Sequence, residues 1–460
     1  MVTLRDSFKN RRRAAASVDL VLDLAEFGDS LDGELFHPDS PGYDALRRPA
    51  NAAYREVRPQ LVVLCRSVAD VTRAVRYATA TGNRITPRGG GHCFAGRSSS
   101  GGIVLELSAL DGISVAAGGV ATIHAGARLR QVYAALHASG RTLPAGCGAG
   151  VGITGLALGG GIGLLGREYG LTCDRLVGAQ VVLADGSVVD CDHDHEPDLF
   201  WALRGAGGGQ FGVVTALRFD TIREPATSRI EGRWSGIALE RLVSAWQAWA
   251  PDAPEQLTVN LSVVSEPGAP VEAILSGAST LAERSTRELL REFLGRAGVA
   301  PAIAVRAGLP YHRLKGSFAD PREVSERARR IRSEFFTHPL APGTLASLLA
   351  QLTGPRTRGR RQLTFTAMGG AYNKIAADAT AFAHRGERFL LEHCADVDDP
   401  WLDASWTTAH SGGSGHVYPN FPDPALDDWA AAYHAGNHPR LAAVKNTYDP
   451  HRLFDFPQAI

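Results

Sequence analysis

Three kinds of feature are scarce in this chain, and each scarcity excludes a class of protein. No run of 18 apolar residues occurs, so no membrane-spanning helix is expected. Lysine plus arginine and aspartate plus glutamate both total 48, and this neutral balance argues against nucleic acid or an anionic membrane as the main partner. Only six of 460 residues are cysteine, none of them in a CxxC pair, which disfavours a zinc ribbon or a thioredoxin-like site. No metal site is expected.

The N-terminal residues do not carry a convincing export signal. Arg11–Arg13 precede an alanine-rich stretch, but Asp19, Asp23 and Glu26 interrupt the apolar run that a secretion signal requires. We therefore expect a surface helix in this stretch and a cytoplasmic protein, either a monomer or a homodimer.

Glycine, by contrast, is abundant. There are 51 glycines among 460 residues, whereas an average protein has roughly 7%. They cluster at 89–102, 146–170 and 205–212 without a collagen-like period. Clustered glycine in this pattern favours backbone that closely approaches a ligand.

The apolar periodicity predicts an α+β fold in two main parts. Strands and helices alternate from about 61 to 219, and the glycine loops fall at one edge. Beyond 225 the pattern changes to helices at 238–249, 281–296 and 322–335, with strands at 257–263, 271–276, 362–368 and 388–394. We expect a first domain over 1–224 (core about 55–224), a second over 225–405, and a segment over 406–460 that returns to the first.

One glycine loop carries a histidine, in Arg88-Gly-Gly-Gly-His92-Cys-Phe-Ala-Gly96. Three consecutive glycines let successive N–H groups point inward as a nest for an anion. A flexible surface loop with an incidental histidine is the alternative, and composition alone leaves it open.

Two further glycine segments resemble ligand-binding loops. Residues 144–163 contain glycines interleaved with Val151, Ile153, Leu156 and Leu158, a spacing that favours a phosphate-cradling loop over a linker. The match to a dinucleotide-binding fingerprint is loose, because the segment does not follow the first strand of a βαβ unit. In 198–214 a short helix ends in a glycine turn and leads into a strand; a plain helix-to-strand connection stays open there.

Together, five ordered segments resemble the berberine bridge enzyme-like oxidases of the vanillyl-alcohol-oxidase flavoprotein fold, over nearly the whole chain. The segments are the Gly-Gly-His92 loop, Leu158-Gly-Gly-Gly-Ile-Gly163, Tyr169-Gly-Leu-Thr-Cys-Asp174, Phe200-Trp-Ala-Leu-Arg-Gly205 and Val444-Lys-Asn-Thr-Tyr-Asp-Pro450 followed by Phe454 and Gln458. The resemblance implies a PCMH-type FAD-binding domain of two subdomains, and a substrate domain with an antiparallel sheet flanked by helices.

The resemblance also implies how FAD is held. His92 matches the histidine that bonds to the flavin 8α-methyl carbon. Cys147 lies one residue before the position, here Gly148, of the cysteine that bonds to flavin C6, and a free thiol lining the pocket is the alternative. Cys93 is expected to be structural within the same loop. The other expected cofactor-binding residues are Arg88, Gly89, Gly90, Gly91, Gly96, Val151, Gly152, Thr154, Gly155, Leu158, Gly159, Gly160, Gly163, Gly212, Val213, Val214, Asn420 and Phe421.

The chain departs from the family at the catalytic base. Relatives use a tyrosine in Tyr-x-Asn-Tyr, and here the motif reads Tyr418-Pro-Asn420-Phe421. On the strand near 388–394, His393 is the first candidate because imidazole titrates near neutral pH. Glu392 is the second, should the register slip by one, and Tyr372 and Tyr418 remain candidates.

The resemblance implies an FAD-dependent oxidase. It would dehydrogenate an alcohol or hemiacetal carbon of a sugar or glycosylated secondary metabolite by hydride transfer to flavin N5, with O₂ reduced to H₂O₂. Val151 falls where oxygen-reactive relatives carry a small apolar residue. Oxidative C–C or C–N ring formation, desaturation, or non-redox cyclisation on a flavin scaffold are the alternatives.

Overall fold

The computed structural model describes residues 24–300, 302–318 and 328–460. The surface helix expected around Arg11–Arg13 lies outside these residues. Within them the chain forms an N-terminal unit (24–223), a large-sheet unit (226–410) and a C-terminal segment (411–460), and these names are kept below. The α+β architecture predicted from the sequence is confirmed, whereas the domain boundaries at 224 and 405 stay predictions.

The N-terminal unit contains two sheets. The first has the order β1-β2-β4-β3, in which β2, β4 and β3 are parallel. The second, antiparallel sheet has the order β5-β6-β10-β8-β9, and β7 pairs with β11 in a small ribbon. The strands are β1 Glu34–Phe36, β2 Leu61–Leu64, β3 Ile85–Arg88, β4 Ile103–Glu106, β5 Ile113–Val115, β6 Val120–His124, β7 Arg141–Thr142, β8 Leu176–Val182, β9 Val188–Cys191, β10 Val213–Asp220 and β11 Ile222–Arg223.

Helices of the N-terminal unit connect these strands. The helices are α1 Leu24–Ser30, α2 Tyr43–Arg47, α3 Val68–Thr81, α4 Leu129–Ala138, α5 Ile153–Leu158, α6 Gly166–Tyr169 and α7 Pro197–Leu203, with 3₁₀ turns at Ala52–Tyr54 and Thr172–Arg175. A capping box is present at the start of α3, where the Ser67 hydroxyl accepts from the backbone of Asp70 and the Asp70 carboxylate accepts from the backbone of Ser67.

The large-sheet unit is a seven-stranded antiparallel sheet in the order β15-β12-β14-β13-β17-β18-β16. Its strands are β12 Ala226–Ser235, β13 Leu257–Ser265, β14 Glu272–Ser279, β15 Ile303–Pro310, β16 Arg329–Phe336, β17 Arg361–Ala367 and β18 Phe389–Asp396. Its helices are α8 Leu239–Trp249, α9 Glu283–Ala297, α10 Tyr311–Phe318, α11 Pro342–Leu352 and α12 Trp401–His410, with 3₁₀ turns at Ala250–Asp252 and Gly370–Asn373.

The helix predicted at 322–335 is wrong over its described part, because Arg329–Phe336 forms β16. Its residues pair one by one with β18, from Arg329 with Asp396 to Phe336 with Phe389. Arginine, glutamate and serine in this stretch tolerate a helix, but pairing with β18 and burial of its Phe335 and Phe336 end override that local preference.

Helices α8, α9, α11 and α12 cover one face of the large sheet. Apolar side chains on that face, among them Leu261, Phe365 and Leu391, pack with Trp246 of α8 and Trp401 of α12. Leu390, on the opposite face, belongs instead to the core of the N-terminal unit. The large sheet therefore presents its second face to the glycine loops.

The C-terminal segment folds back against the N-terminal unit. It contains α13 Trp429–His434, a 3₁₀ turn at Ala435–Asn437 and α14 His438–Tyr448. The buried Lys445 ammonium donates to the Asp449 carboxylate (2.7 Å) and to the carbonyl oxygens of Phe454 (2.7 Å) and Gln210. This contact joins α14 to the loop before β10.

Candidate active site

A cavity of about 460 Å³ lies between the glycine loops and the free face of the large sheet. The N-terminal unit contributes loops around 89–98, 146–164 and 207–214. The large sheet contributes Thr258 and Asn260 from β13, Thr366 and Ala367 from β17, and Leu390 and Glu392 from β18. The C-terminal segment closes the remaining side with residues 418–422.

Two glycine loops meet backbone to backbone at the floor of the cavity. A Cβ atom on Gly90 would lie 2.3 Å from the nitrogen of Gly152, and one on Gly152 would lie 2.5 Å from the nitrogen of Gly90. Gly91 has a φ of 71°, which a side chain would disfavour. Glycine is therefore required where the His92 loop and the 146–163 loop touch.

Most of the residues predicted from the sequence to bind the cofactor line this one cavity. These are Gly89, Gly90, Gly91, His92, Cys93, Cys147, Val151, Gly152, Thr154, Gly155, Leu158, Gly163, Gly212, Val214, Asn420 and Phe421.

Five predicted cofactor residues stand behind the cavity wall instead. Arg88 is buried, and its guanidinium donates to the carbonyl oxygens of Ser98 (2.8 Å) and Leu46 (2.7 Å), so it anchors the loop. Val213 packs in a buried apolar cluster that includes Ile103 and Leu105 of β4. The remaining three, Gly96, Gly159 and Gly160, contact neighbouring side chains, where an added Cβ would collide with Tyr54, Asn420 and Phe382 respectively.

His92 is placed as an uncharged nucleophile. Burial lowers the pKa of its imidazole, the nearby Arg128 guanidinium lowers it further, and a hydrogen bond to the backbone of Gly150 opposes the shift. The ring is therefore neutral at neutral pH, and a neutral ring nitrogen has the lone pair that bond formation to carbon requires.

Cys147 lines the cavity beside a buried lysine that sequence analysis did not single out. The Lys315 ammonium, on α10, lies 3.1 Å from Cys147 Sγ and 3.0 Å from the carbonyl oxygen of Ala145. The rings of Tyr133 and Tyr311 stand 5.1 Å and 5.5 Å from the same nitrogen. Burial lowers the pKa of Lys315, and contact with Cys147 opposes this. The Lys315 ammonium therefore holds the sulfur of Cys147 at the cavity wall.

The two candidate tyrosines hold a glycine loop in place. Tyr418 Oη accepts from the backbone of Gly161 and Ile162 and from the Asn420 amide, each at 3.0 Å. Burial raises the pKa of Tyr418 to about 12, so its hydroxyl stays protonated near neutral pH. Tyr372 does not line the cavity; its hydroxyl exchanges hydrogen bonds with the backbone of Gly163. Neither tyrosine is arranged as a base.

His393, the first candidate base, faces away from the cavity. It is fully buried toward α12, where Nδ1 lies 2.8 Å from the Ser405 hydroxyl, and burial lowers its pKa to about 3. The alternation predicted for β18 is right, with Leu391 and His393 on one face and Glu392 on the other, but the helices cover the His393 face. The preference for His393 is therefore corrected.

Glu392 projects into the cavity without any register slip. Its carboxylate accepts one hydrogen bond, from the Thr366 hydroxyl at 3.3 Å, and burial raises its pKa to about 7. A carboxylate with this pKa is half ionised near neutral pH, which suits a general base. Phe421, which replaces the family tyrosine, contacts Tyr418 and Phe94 edge to face and has no group to titrate.

The cavity also holds polar atoms that lack partners within the described chain. Thr154 Oγ1 and Arg97 Nε are buried and unpaired, and both residues line the cavity. A buried unpaired donor indicates a missing ligand atom or water. Asn260 and Arg97 were missed from the sequence; position 97 follows the Gly96 loop directly, whereas position 260 lies on a strand without a motif.

A family model described as FAD binding domain matches residues 59–192, and one described as berberine and berberine like matches 417–460. The chain is 32% identical over 457 residues to the uncharacterized FAD-linked oxidoreductase YgaK of Bacillus subtilis, covering 94% of this chain and 97% of the relative. The chain belongs to the berberine bridge enzyme-like family of FAD-linked oxidoreductases. The predictions of family, FAD cofactor and oxidoreductase class are thereby confirmed.

Other members of the family have defined activities. The (R)-6-hydroxynicotine oxidase of Paenarthrobacter nicotinovorans is 30% identical, with 92% of this chain and 96% of the relative covered. The chitooligosaccharide oxidase of Gibberella zeae is 29% identical, with 87% of both covered.

Among solved structures, Physcomitrella patens BBE-like 1 superposes with a TM-score of 0.86 at 25% identity, covering 95% of this chain and 98% of that one. Glucooligosaccharide oxidase from Acremonium strictum, which has a 6-S-cysteinyl, 8α-N1-histidyl FAD, superposes with a TM-score of 0.84 at 24% identity, covering 93% and 97%. No helix in the part of the chain that the structure describes is long and apolar enough to cross a membrane.

The cavity of this family member fits FAD. Glycine backbone without side chains lines the cavity at 89–91, 152 and 155, which suits an anionic pyrophosphate, and the unpaired Thr154 hydroxyl and Arg97 Nε would offer hydrogen bonds to a polar ligand. The large-sheet face of the cavity presents Glu392 and the polar side chains of Thr258, Asn260 and Thr366.

Proposed function

We propose that the protein is an FAD-dependent oxidase that dehydrogenates an alcohol or hemiacetal carbon, with Glu392 as the base and O₂ as the electron acceptor. The observation that carries the proposal is the placement of Glu392: it is the one acidic side chain among the residues lining the described cavity, and its pKa is raised to about 7. A hydroxyl substrate must lose a proton as its carbon loses hydride, and Glu392 can accept that proton.

The proposal includes two covalent bonds to FAD, one from His92 and one from Cys147. When bound, FAD supplies the hydride acceptor and passes the electrons on to O₂, with H₂O₂ as product. The chain's own residues position it: neutral His92 and the Lys315-flanked Cys147 lie on the cavity wall. Tyr418, through Gly161 and Ile162, fixes the neighbouring glycine loop.

A sugar or glycosylated small molecule is the proposed substrate class. The chitooligosaccharide oxidase relative supports it, and so do polar side chains that face the cavity from the large sheet, namely Thr258, Asn260 and Thr366. The Asn260 Oδ1 accepts from the backbone of Ala367 at 3.3 Å, which orients its amide. Val151 lines the cavity. It falls where oxygen-reactive relatives have a small apolar residue, which supports O₂ as the electron acceptor.

Oxidation at a C–N bond is a second candidate function. The 30% identity to a hydroxynicotine oxidase favours it. Such a substrate can lose hydride from carbon while nitrogen stabilises the resulting cation, so the reaction needs no hydroxyl deprotonation. The dependence on Glu392 distinguishes the two candidates.

Anaerobic mixing with a panel of oligosaccharides, glycosylated aromatics and cyclic amines tests the proposal. We expect the visible flavin absorbance to bleach with an oligosaccharide or glycoside, and to return with H₂O₂ when air is admitted. Turnover without bleaching would sink the oxidase proposal in favour of a non-redox cyclase, and bleaching by amines alone would support the second candidate. The cytoplasmic location and the monomeric or homodimeric state stay predictions.

A further inference from the structure

Two histidines and a glutamate meet away from the cavity wall, between the large-sheet unit and the C-terminal segment. His384 and Glu387 lie in the connection that precedes β18, and His416 lies in the segment that follows α12. One ring nitrogen of each histidine and one carboxylate oxygen fall within 4.8 Å of one another. The two imidazole rings stand 4.7 Å apart, and His416 Nδ1 lies 2.9 Å from Glu387 Oε1.

Two polar atoms of this cluster are buried and unsatisfied. His384 Nδ1 and Glu387 Oε2 have no hydrogen-bond partner within the described chain, and both side chains are at least 97% buried, with His384 1% and Glu387 2% exposed. An unpaired buried carboxylate oxygen is costly unless it meets a proton donor or a cation. Neighbouring Arg385 is not that cation, because its guanidinium is paired with Asp174 at 2.7 and 2.9 Å.

The hydrogen bond at the far side of His384 sets its tautomer. Nε2 lies 2.9 Å from the carbonyl oxygen of Tyr433, which can only accept, so Nε2 has the proton and Nδ1 has the lone pair. A neutral histidine whose second nitrogen donates to a backbone carbonyl is the arrangement found in metal ligands.

We propose that His384, Glu387 and His416 form a binding site for a divalent cation of the zinc type. Two imidazole nitrogens and one carboxylate oxygen are a ligand set typical of Zn²⁺, which leaves a fourth position for water at the partly exposed His416 side. The cation would satisfy Glu387 Oε2 and His384 Nδ1 together.

A second cluster of the same composition provides an internal comparison. His137, Glu224 and His312 also bring three ligand atoms together. There, however, both carboxylate oxygens are already paired, Oε2 with His137 Nδ1 at 2.5 Å and Oε1 with the backbone and ring of His312. That cluster is closed by its own hydrogen bonds and has no atom that requires a cation.

The proposed site would stiffen the backbone that builds the active site. His416 stands two residues before Tyr418, whose hydroxyl anchors the glycine loop at Gly161 and Ile162. A cation bound by both the connection before β18 and the segment after α12 would hold these two stretches of chain together. Metal binding should therefore raise thermal stability, since a ligand that binds only the folded state stabilises it.

The test uses the FAD-loaded enzyme stripped with a chelator, reloaded with Zn²⁺ and freed of excess by gel filtration. Zinc per chain and the Tm with and without Zn²⁺ are measured for wild type, Glu387→Gln, His416→Ala and the matched control His137→Ala. Glu387→Gln keeps the side-chain shape, and His416 is one-third exposed, so its truncation spares the core. Circular dichroism and the flavin spectrum verify folding of each variant.

We expect wild type and His137→Ala to retain Zn²⁺ and to gain stability from it. Glu387→Gln and His416→Ala should each bind one Zn²⁺ fewer per chain. Their affinity for Zn²⁺ should fall more than about 100-fold, because loss of even an outer-shell partner of a metal ligand lowers metal affinity by roughly 10–100-fold. Equal zinc in all four proteins, loss confined to His137→Ala, or no zinc in wild type would overturn the site.

Discussion

At the scale of single residues, the face of β18 on which a side chain lies decides whether it meets the cavity. Glu392→Gln removes the only acid on the described cavity wall, so kcat should fall by about 10²–10⁴-fold, the usual contribution of a general base. In wild type, kcat/KM should rise with pH through about 7, the pKa of Glu392, because the base must be ionised.

His393→Gln is the matched control for that pH profile. His393 contacts Ser405 and not the cavity, so the rise near pH 7 should persist in this variant and vanish in Glu392→Gln. A profile that survives Glu392→Gln but disappears with His393→Gln would contradict the assignment.

Glu392 should also destabilise the folded protein at pH values where its carboxylate is ionised. Its pKa is raised from 4.5 to about 7 in the folded protein, so the folded state binds a proton that the unfolded state lacks between these pH values. Stability from this group is present below pH 4.5 and is lost as pH rises through 7. Glu392→Gln should therefore stabilise the protein at pH 8, by up to about 3 kcal/mol, and have little effect at pH 4.5. Denaturant unfolding at the two pH values checks this.

Lys315 should be needed for the bond between FAD and Cys147, but not for the bond between FAD and His92. Lys315→Met removes the ammonium that lies 3.1 Å from Cys147 Sγ and with it the hydrogen bond that orients this sulfur. We expect proteolytic peptides of this variant to have FAD on His92 alone, whereas wild-type FAD should link the His92 and Cys147 peptides. An unchanged doubly linked product would show that Lys315 is not needed for the second bond.

At this scale the sequence could predict which residues of β18 share a face, but not which of the two faces meets the cavity. The period of two correctly separated Glu392 from His393. Which of them meets the cavity depends on α12, whose Trp401 and Ser405 pack against the His393 face, and no local pattern reports that packing. Lys315 and Asn260 were missed for the same reason, because distant strands and helices bring them to the site.

At the scale of secondary-structure elements, the strongest sequence signals were those with local causes. The Ser67–Asp70 capping box and the Asp185-Gly186 turn between β8 and β9 both depend on residues that are neighbours in the sequence. The segment Arg329–Phe336 was misassigned because its strand conformation depends on pairing with β18, about 60 residues further along the chain. Non-local pairing of this kind overrides helix propensity.

The junction of α14 with the N-terminal unit allows a direct stability test. Lys445 and Asp449 are both fully buried, and their ion pair closes the turn that leads to Phe454. Lys445→Met should cost about 3–5 kcal/mol, because it leaves the buried Asp449 carboxylate without its counter-ion. Arg440→Ala, which breaks an exposed pair with Asp198, should cost no more than about 1 kcal/mol. Equal costs in denaturant unfolding would contradict the role given to Lys445.

At the scale of the whole molecule, the site exists because three parts of the chain meet. Arg167, on α6, donates to the carbonyl oxygens of Pro251 (2.8 Å) and Ala253 (2.7 Å) in the large-sheet unit, and thereby ties the glycine loops to the sheet that bears Glu392. Five ordered motifs were enough to predict the family and the glycine-loop side of the cavity. The large-sheet side has no motif, since its residues share only a position on one sheet face.

Attachment of FAD at His92 is the central claim, and peptide mass spectrometry tests it directly. After denaturation and proteolysis of the purified enzyme, we expect FAD mass on the peptide that contains His92, cross-linked to the peptide that contains Cys147. His92→Ala should abolish the attachment at the first peptide. Release of all FAD on denaturation of the wild-type enzyme, with both peptides unmodified, would contradict the central claim.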